Sequence, residues 1–396
     1  PLVLIVSNAL DDETRKKRGI TTDSPAASRK VFQLSRALSR SNLQPVVLSL
    51  GRGRANRTID YHPFEKKRYD GVTIIYAPFS NIPLFSEFLS LLSFIYTMMS
   101  LSRRKQKAVI YYNRQTAYIP TLITSWITQY KNFLDLEDGE ILEGKKRIKF
   151  SPKKLIIELY DTICNHGSLL ACKALEKVTR VRPTLCFYGT INDKVVIEKK
   201  QFDKLHILMA GTLEKDTGAE LLISAIEKLK SRNNEWAKNI TFEITGKGES
   251  LEKLKKVSVE AEWPRVIVHG RLTNKEYKKV LDRCQVGLSL KLVRGPLADT
   301  TFPSKVVEFT SNGLFVVSTD ISDVRHLMGE GAFYLTQNSP DQLIEILHNV
   351  HQNKDQLFEK TKMGWQAIEK HCSEEAVGNK ISKFLFKCDE KVISQN

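Results

Sequence analysis

The run Asp-Thr-Thr-Phe-Pro-Ser-Lys-Val-Val-Glu-Phe-Thr-Ser-Asn-Gly, Asp299 to Gly313, decides how the chain is read. Small residues from Thr300 to Ser304 lead into an apolar-rich helical segment that stops at a glycine. Ser304 stands where a helix N-cap is expected, which would leave the N–H groups of Lys305–Val307 without internal partners. Such an end suits an anion, by roughly 0.3–1 kcal/mol from the aligned peptide dipoles. Lys305 adds a full positive charge, and Glu308 follows one turn on, on the same side as Lys305 or Ser304. A carboxylate there is placed to accept hydrogen bonds from ribose hydroxyls while phosphates sit on the helix start. Taken alone, the stretch fits an ordinary capped helix with an exposed Lys and Glu better. Its surroundings raise the other reading.

Around the stretch, the second half of the chain alternates strand, turn and helix. Apolar strands are expected at Leu205–Ala210, Ile240–Ile244, Val266–His269, Val286–Leu290 and Leu314–Ser318. The turns after the first three are Gly211-Thr212-Leu213 through Lys215 to Gly218, then Gly246-Lys247-Gly248, then Gly270-Arg271-Leu272. Glycines there let backbone approach a ligand closely. Lys291 and Arg294 stand in the loop before Thr300. Helices are expected over Leu222–Leu229, Leu251–Val257, Asn274–Cys284 and Val306–Ser311, with terminal helices Lys354–Lys370 and Glu374–Phe386.

The first half repeats the pattern with strands at Leu2–Val6, Pro45–Leu50, Gly71–Ala77, Ala108–Tyr112, Asn132–Leu136 and Thr184–Tyr188. Ser24-Pro25 reads as N-cap and first helical residue. Pro83–Leu101 and Leu155–Leu175 read as helices. Ser7–Asp23 reads as a polar loop carrying Arg15, Lys16, Lys17 and Arg18, either for an anionic ligand or as a solvated loop. Asn113, Arg114 and Asp138 follow strands at their carboxyl ends, where open α/β sheets bind ligands. The carboxylates of Glu137–Glu140 fit a simple loop somewhat better than an acceptor site. The fold class is therefore α/β, with parallel sheets covered on both faces. A domain of residues 1–200 would be followed by one of residues 201–373, with Asp193–Lys204 as linker and the final helix, in residues 374–396, packing back on the first domain.

The chain has 396 residues and a net charge of +16, so two cores fit and an anionic partner is favoured. Its six cysteines show no metal-ligand spacing and read as reduced core thiols of a cytosolic protein. The N-terminus reads as lacking a signal peptide, and no transmembrane helix is expected. Pro83–Leu101 is the most apolar stretch, broken by Glu87 and followed by Arg103-Arg104-Lys105. A basic cluster beside an apolar helix suits an anionic membrane surface, as well as a domain helix with a solvated end.

The two halves together resemble the GT-B architecture, in which two Rossmann-like domains face a cleft. More narrowly, they resemble the retaining nucleotide-sugar glycosyltransferases that include bacterial surface-polysaccharide enzymes. Gly211-Thr-Leu with Gly218-Ala-Glu-Leu-Leu222, Gly246-Lys-Gly248, Val266–Leu272 and above all Phe302-Pro-Ser-Lys-Val-Val-Glu308 with Gly313 carry the resemblance. Ala26–Leu38 resembles the family's first helix. The resemblance implies that Glu308 holds the ribose. It places backbone around Thr301, Phe302, Pro303, Ser304 and Lys305 at the diphosphate, Gly248 beside the nucleotide, and Arg271-Leu272 at the base. It implies a nucleoside diphosphate sugar donor, a glycan or lipid-linked acceptor, a cytoplasmic or peripheral membrane location, and no metal or other cofactor. The chain departs from the family in three places. Thr300, with Asp299 beside it, stands where a first glutamate is common. Thr212 and Thr217 replace the usual arginine and lysine of the first turn. Paired glycines after the first strand are missing. Lys215, Lys291, Arg294 and Lys305 are the substitute cations. A nucleotide-sugar epimerase or phosphorylase of like fold is the nearest alternative. A basic nucleic-acid-binding protein is more distant, since recognisable nucleic-acid motifs are missing.

Overall fold

The computed structural model describes residues 1–54, 60–137, 152–191, 197, 202–260, 263–293 and 300–386. The chain divides into two units, Pro1–Thr190 with Cys372–Asn396, and Ile191–His371.

The first unit is built on strands β1 (Leu2–Ser7), β2 (Gln44–Ser49), β3 (Tyr61–His62), β4 (Glu65–Tyr69), β5 (Val72–Tyr76), β6 (Phe79–Ser80), β7 (Lys107–Tyr112), β8 (Lys131–Leu136), β9 (Gly167–Leu170) and β10 (Thr184–Cys186). Eight of these form one sheet in the order β10-β9-β8-β7-β1-β2-β5-β4. All pairings in it are parallel except β4 with β5. β1 is buried along its whole length, as a central parallel strand covered on both faces must be. Its helices are α1 (Asp12–Lys17), α2 (Pro25–Arg40), α3 (Pro83–Leu101), α4 (Ile119–Ile127) and α5 (Pro152–Ile163). Ser24 caps α2, its hydroxyl accepting from the Ala27 N–H at 3.4 Å, with Pro25 as the first helical residue.

Two expectations change here, and one further strand comes to light. The segment Ser7–Asp23 is not all loop, because Asp11 caps the short helix α1 by accepting from the Thr14 N–H. The helix expected over Leu155–Leu175 ends at Ile163. Gly167–Leu170 is instead a strand beside β8, and Lys173–Val178 a tight 3₁₀ turn. Glu65–Tyr69 pairs antiparallel at the sheet edge, where its charged side chains stay largely in water.

The second unit has strands β11 (Leu205–Thr212), β12 (Ile240–Lys247), β13 (Arg265–Gly270), β14 (Val286–Ser289), β15 (Phe315–Thr319) and β16 (Ala332–Leu335), all parallel in the order β13-β12-β11-β14-β15-β16. Helices α6 (Ala219–Ser231), α7 (Leu251–Glu260), α8 (Asn274–Arg283), α9 (Lys305–Ser311), α10 (Val324–Met328), α11 (Pro340–Gln352) and α12 (Leu357–Cys372) complete it. Its core joins Ile207, Phe242, Ile244 and Leu288 from the sheet with Leu222, Ile226, Leu347 and Val350 from α6 and α11.

The last helix, α13 (Glu374–Phe386), belongs to the first unit. Val377, Ile381 and Leu385 join one apolar cluster with Val31, Leu34 and Leu38 of α2. Arg36 and Arg40 of α2 bind the buried Glu374 carboxylate at 2.9 and 2.8 Å. Gly378 lets the two helices touch, because a Cβ there would strike the Ala37 carbonyl oxygen and the Ser41 hydroxyl. Helix propensity alone would make Gly378→Ala stabilising by up to about 1 kcal/mol. Steric conflict with α2 is expected to reverse that sign, giving a loss of about 1–3 kcal/mol in denaturant unfolding. A stabilised variant would mean that α13 does not pack closely on α2.

Candidate nucleotide-sugar site

In the second unit, the strands deliver their turns to one end of the sheet. β11 and β12 run in register to their last residues, Gly211 opposite Gly246 and Thr212 opposite Lys247. Gly246, at φ +142°, leaves no room for a side chain, since a Cβ would collide with the Gly211 carbonyl oxygen. A Cβ on Gly248 would likewise strike the Leu213 carbonyl oxygen. The turns are cross-linked by main chain, with Leu213 N–H donating to Lys247 O at 2.8 Å and Ser250 N–H to Leu213 O at 3.0 Å. The Thr217 hydroxyl lies 2.7 Å from the Thr212 carbonyl and accepts from the Glu214 N–H at 3.0 Å, so it shapes the first turn. Thr212, Lys215, Lys247 and Arg271 are exposed at this end, with Leu272 half-buried.

The stretch from Thr300 to Gly313 enters the same end. Ser304 is already helical in backbone and makes no side-chain cap, and the Val306 N–H is taken by the Pro303 carbonyl at 3.0 Å. This corrects the expected Ser304 cap: the turn begins one residue earlier, at Pro303. Helix α9 buries Val306, Val307, Phe309 and Thr310. Phe309 lies directly over Gly287 of β14, where a side chain would block it, so α9 sits close on the sheet.

Glu308 and Lys305 then face one another half-buried, Lys305 Nζ to Glu308 Oε2 at 2.8 Å. The Tyr277 hydroxyl of α8 donates to Glu308 Oε1 at 2.8 Å. Lys305 Nζ stands 5.4 Å from the Tyr277 ring centre and 5.7 Å from that of Phe309, within cation–π range. Its Cε would lie 3.4 Å from a Cβ on Gly211. The structure thus brings Lys305, Glu308 and the first glycine turn together, with Tyr277 as a member that sequence spacing did not reveal.

Lys291 follows β14 and binds the Thr301 hydroxyl through Nζ, while its carbonyl accepts from the Thr319 hydroxyl at 2.5 Å. Leu292 N–H donates to the Asp216 carbonyl at 2.9 Å, tying this loop to the first turn. The Thr300 hydroxyl oxygen is buried without a hydrogen-bond partner among the described residues. Phe302 and Pro303 are half-buried and Ser304 exposed. Asp299, Arg294 and Asp138 lie outside the described residues.

The remaining predicted residues sit in the first unit. Asn113, at φ +60°, accepts from the Glu137 N–H at 2.9 Å through Oδ1. Arg114 is turned inward, which corrects its placement on an acceptor-facing loop. Its guanidinium is buried and binds Asp161 at 2.6 Å and the Val178 carbonyl at 3.1 Å. The basic run after β1 is also engaged internally. Arg15 pairs with Asp12, Lys17 pairs with Glu65, and Arg18 is buried, bonding the Gly51 carbonyl and stacking on Tyr76. Lys30 of α2, which no motif indicated, pairs with Asp135 and Glu137.

Residues 204–353 match the family model described as glycosyl transferases group 1. The matched stretch lies within the second unit. No curated protein sequence matches the chain. Among solved structures, it is similar to HepE from Anabaena in complex with UDP, at TM-score 0.68 and 12% identity, covering 98% of this chain and 100% of that one. It is also similar to sucrose-phosphate synthase from Thermosynechococcus elongatus, at TM-score 0.67 and 11% identity, covering 99% and 100%. A third is the E. coli structure described as trehalose-6-phosphate bound with UDP-2-fluoro glucose, at TM-score 0.64 and 12% identity, covering 98% and 99%. The chain therefore has the GT-B fold. Among the described residues no cluster of His, Cys, Asp and Glu is arranged to hold a metal ion.

Beneath the third turn lies a second polar group. Glu243 of β12 is buried and accepts from Arg283 at 2.7 and 2.8 Å. His206 Nδ1 and His269 Nε2 lie 3.0 and 2.6 Å from its oxygens. Because His269 immediately precedes Gly270 and Arg271, this group anchors the turn that the resemblance puts beside the base. His269 is thus engaged with a buried carboxylate of the sheet. Burial raises the Glu243 pKa, but hydrogen bonds from Arg283, His206 and His269 outweigh it and hold the carboxyl far below the usual range. A depressed pKa contributes stability that is complete above the unfolded value, near ~4.3, and is lost as pH falls toward the folded value. Glu243→Gln is expected to cost about 3–5 kcal/mol at neutral pH by leaving Arg283 unpaired. Its stability should also fall less steeply than wild type below about pH 4. Parallel acid limbs for the two proteins in pH-dependent unfolding would exclude Glu243 as the titrating group.

Proposed function

We propose that the chain transfers a sugar from a nucleoside diphosphate sugar to a glycan or lipid-linked glycan, with retention of anomeric configuration and without a metal. The reaction would serve cell-surface polysaccharide synthesis at the inner face of the membrane. The observation that carries the reading is the Lys305–Glu308–Tyr277 group set against Gly211 at the end of β11. HepE in complex with UDP-glucose, and a trehalose-6-phosphate synthase studied for glycosyl transfer with retention, support donor class and stereochemistry. No helix among the described residues is long and apolar enough to cross a membrane, which is compatible with a protein held at its surface.

The chemistry follows from charge. As the glycosidic bond to the diphosphate breaks, negative charge accumulates on the leaving oxygens, and fixed cations there lower the barrier. The Lys305 side chain lies against Gly211 of the first turn, and Lys291 is held by the Thr301 hydroxyl in the adjoining loop. When Lys305 turns to the diphosphate, the Glu308 carboxylate is released to accept the ribose hydroxyls, with Tyr277 still holding its other oxygen. The glycine turns admit the nucleotide to the main chain. The Thr300 hydroxyl oxygen, buried and without a partner among the described residues, is a hydrogen-bonding group for the sugar at the place where the family often has a carboxylate.

A thermal-shift panel of nucleotide sugars tests this directly. A donor at about a hundred times its Kd should stabilise the protein by about 2.7 kcal/mol. The shift should vanish in Glu308→Ala. With the donor found, Lys305→Ala is expected to lower kcat/KM by about a hundredfold or more, while Lys215→Ala changes it little. If no nucleotide sugar binds and Glu308→Ala retains full activity on the true substrate, the donor-site reading fails.

A further inference from the structure

We propose that the paired helices α3 and α4 form the face by which the protein docks on an anionic phospholipid bilayer. Both helices turn large apolar side chains to the outside. Helix α3 exposes Phe85, Phe88, Leu92, Tyr96 and Met99, three or four residues apart and therefore on one stripe, with Tyr96 75% exposed. Its buried side carries Phe94 and Met98 together with Ser86, Ser90 and Thr97. Helix α4, which packs beside it, exposes Ile123, Trp126 and Ile127, the last two at 64% and 67%. Its buried side carries Leu122 together with Thr121, Thr124 and Ser125.

The inward hydroxyls are satisfied locally. Ser90 lies 2.8 Å from the Ser86 carbonyl, Thr97 2.8 Å from Ser93, Thr124 2.8 Å from Pro120 and Ser125 2.7 Å from Leu122. Small polar residues bonded to their own helix thus share the inward side with Phe94, Met98 and Leu122, and the outward side is left strongly apolar. A surface helix of a water-soluble domain carries charged and polar residues on that outward side instead. Two packed helices that both expose large apolar side chains are of the kind that marks an interaction site.

Charge selects the occupant. Arg103, Arg104 and Lys105 follow α3 directly and are exposed, and the whole chain carries +16. Glu87, the acid on α3, lies 3.7 Å from Arg52. At 1.5 Å per residue the 19 residues of α3 reach about 28 Å, long enough to lie along a headgroup layer with the aromatic stripe down and the basic end against phosphates. A purely apolar protein partner would leave that basic end unused.

The inference gives the lipid-linked acceptor reading a landing surface, but it does not use the donor site. The test is sedimentation of the full chain with vesicles of phosphatidylcholine, with and without phosphatidylglycerol. Binding is expected only with the anionic lipid, weakening as salt rises. The double variant Phe88→Ser/Trp126→Ser should bind about tenfold less or worse with an unchanged melting temperature, because both side chains are already exposed. Arg103→Ala and Arg104→Ala should each weaken binding about fivefold. Adding anionic vesicles should shift tryptophan emission to the blue in wild type and not in Trp126→Phe. Glu308→Ala should bind vesicles like wild type, so loss of the donor reading would leave this result standing. Equal binding of wild type and Phe88→Ser/Trp126→Ser overturns the proposal, as does no binding to anionic vesicles. A dimer in solution that the double variant dissolves would assign the face to a second copy instead.

Discussion

The second unit's site depends on main chain touching main chain. Gly246 rests against the Gly211 carbonyl and Gly248 against that of Leu213, with no side chain between. A methyl group at either glycine would push the first two turns apart, and with them the surface against which Lys305 lies. This constraint is steric, so salt, pH and ligand leave it unchanged. The charged pair Lys305 and Glu308 stands beside it. The same logic recurs at Gly287, whose missing side chain lets Phe309 seat α9 on the sheet. The polar group around Glu243 supports the neighbouring turn by a different means, a buried carboxylate held by three side chains.

Much of the fold was legible because parallel strands covered on both faces are short, continuous apolar runs, as at Leu2–Ser7 and Phe315–Thr319. The misreadings have physical causes. Glu65–Tyr69 pairs on one edge only and needs no apolar pattern, so its lysines and arginine concealed a strand. Leu155–Leu175 concealed a helix and a strand because the apolar residues of Gly167–Leu170 prolong those of α5 without a break in composition. Helix α4 escaped notice because Ile123, Trp126 and Ile127 point outward while threonines and a serine share the buried side with Leu122, so its pattern does not read as a core-facing helix. In the site, Glu308, Lys305 and the glycine turns were readable from spacing. Tyr277 was not, since it reaches Glu308 across 31 residues of sequence and from another helix. Nor was Arg283, which meets Glu243 across 40.

Net charge proved a coarse guide to partners. Arg15, Lys17, Arg18, Lys30 and Arg114 all count toward the surplus, yet each is held by neighbours within the first unit. Arg103, Arg104 and Lys105 stay in water at the end of α3. A cation buried against a carboxylate exerts little field beyond its partner, so a few exposed charges set the long-range attraction.

The return of α13 to the first unit bears on the order in which the protein is made. The first 190 residues emerge from the ribosome early, but the apolar face of α2 closes only when Val377, Ile381 and Leu385 arrive. Meanwhile the second unit, contiguous from Ile191 to His371, has all its strands in hand. The unit synthesised first is therefore the one completed last. Its exposed half-core during that interval is where a nascent chain of this kind is open to chaperones or to aggregation.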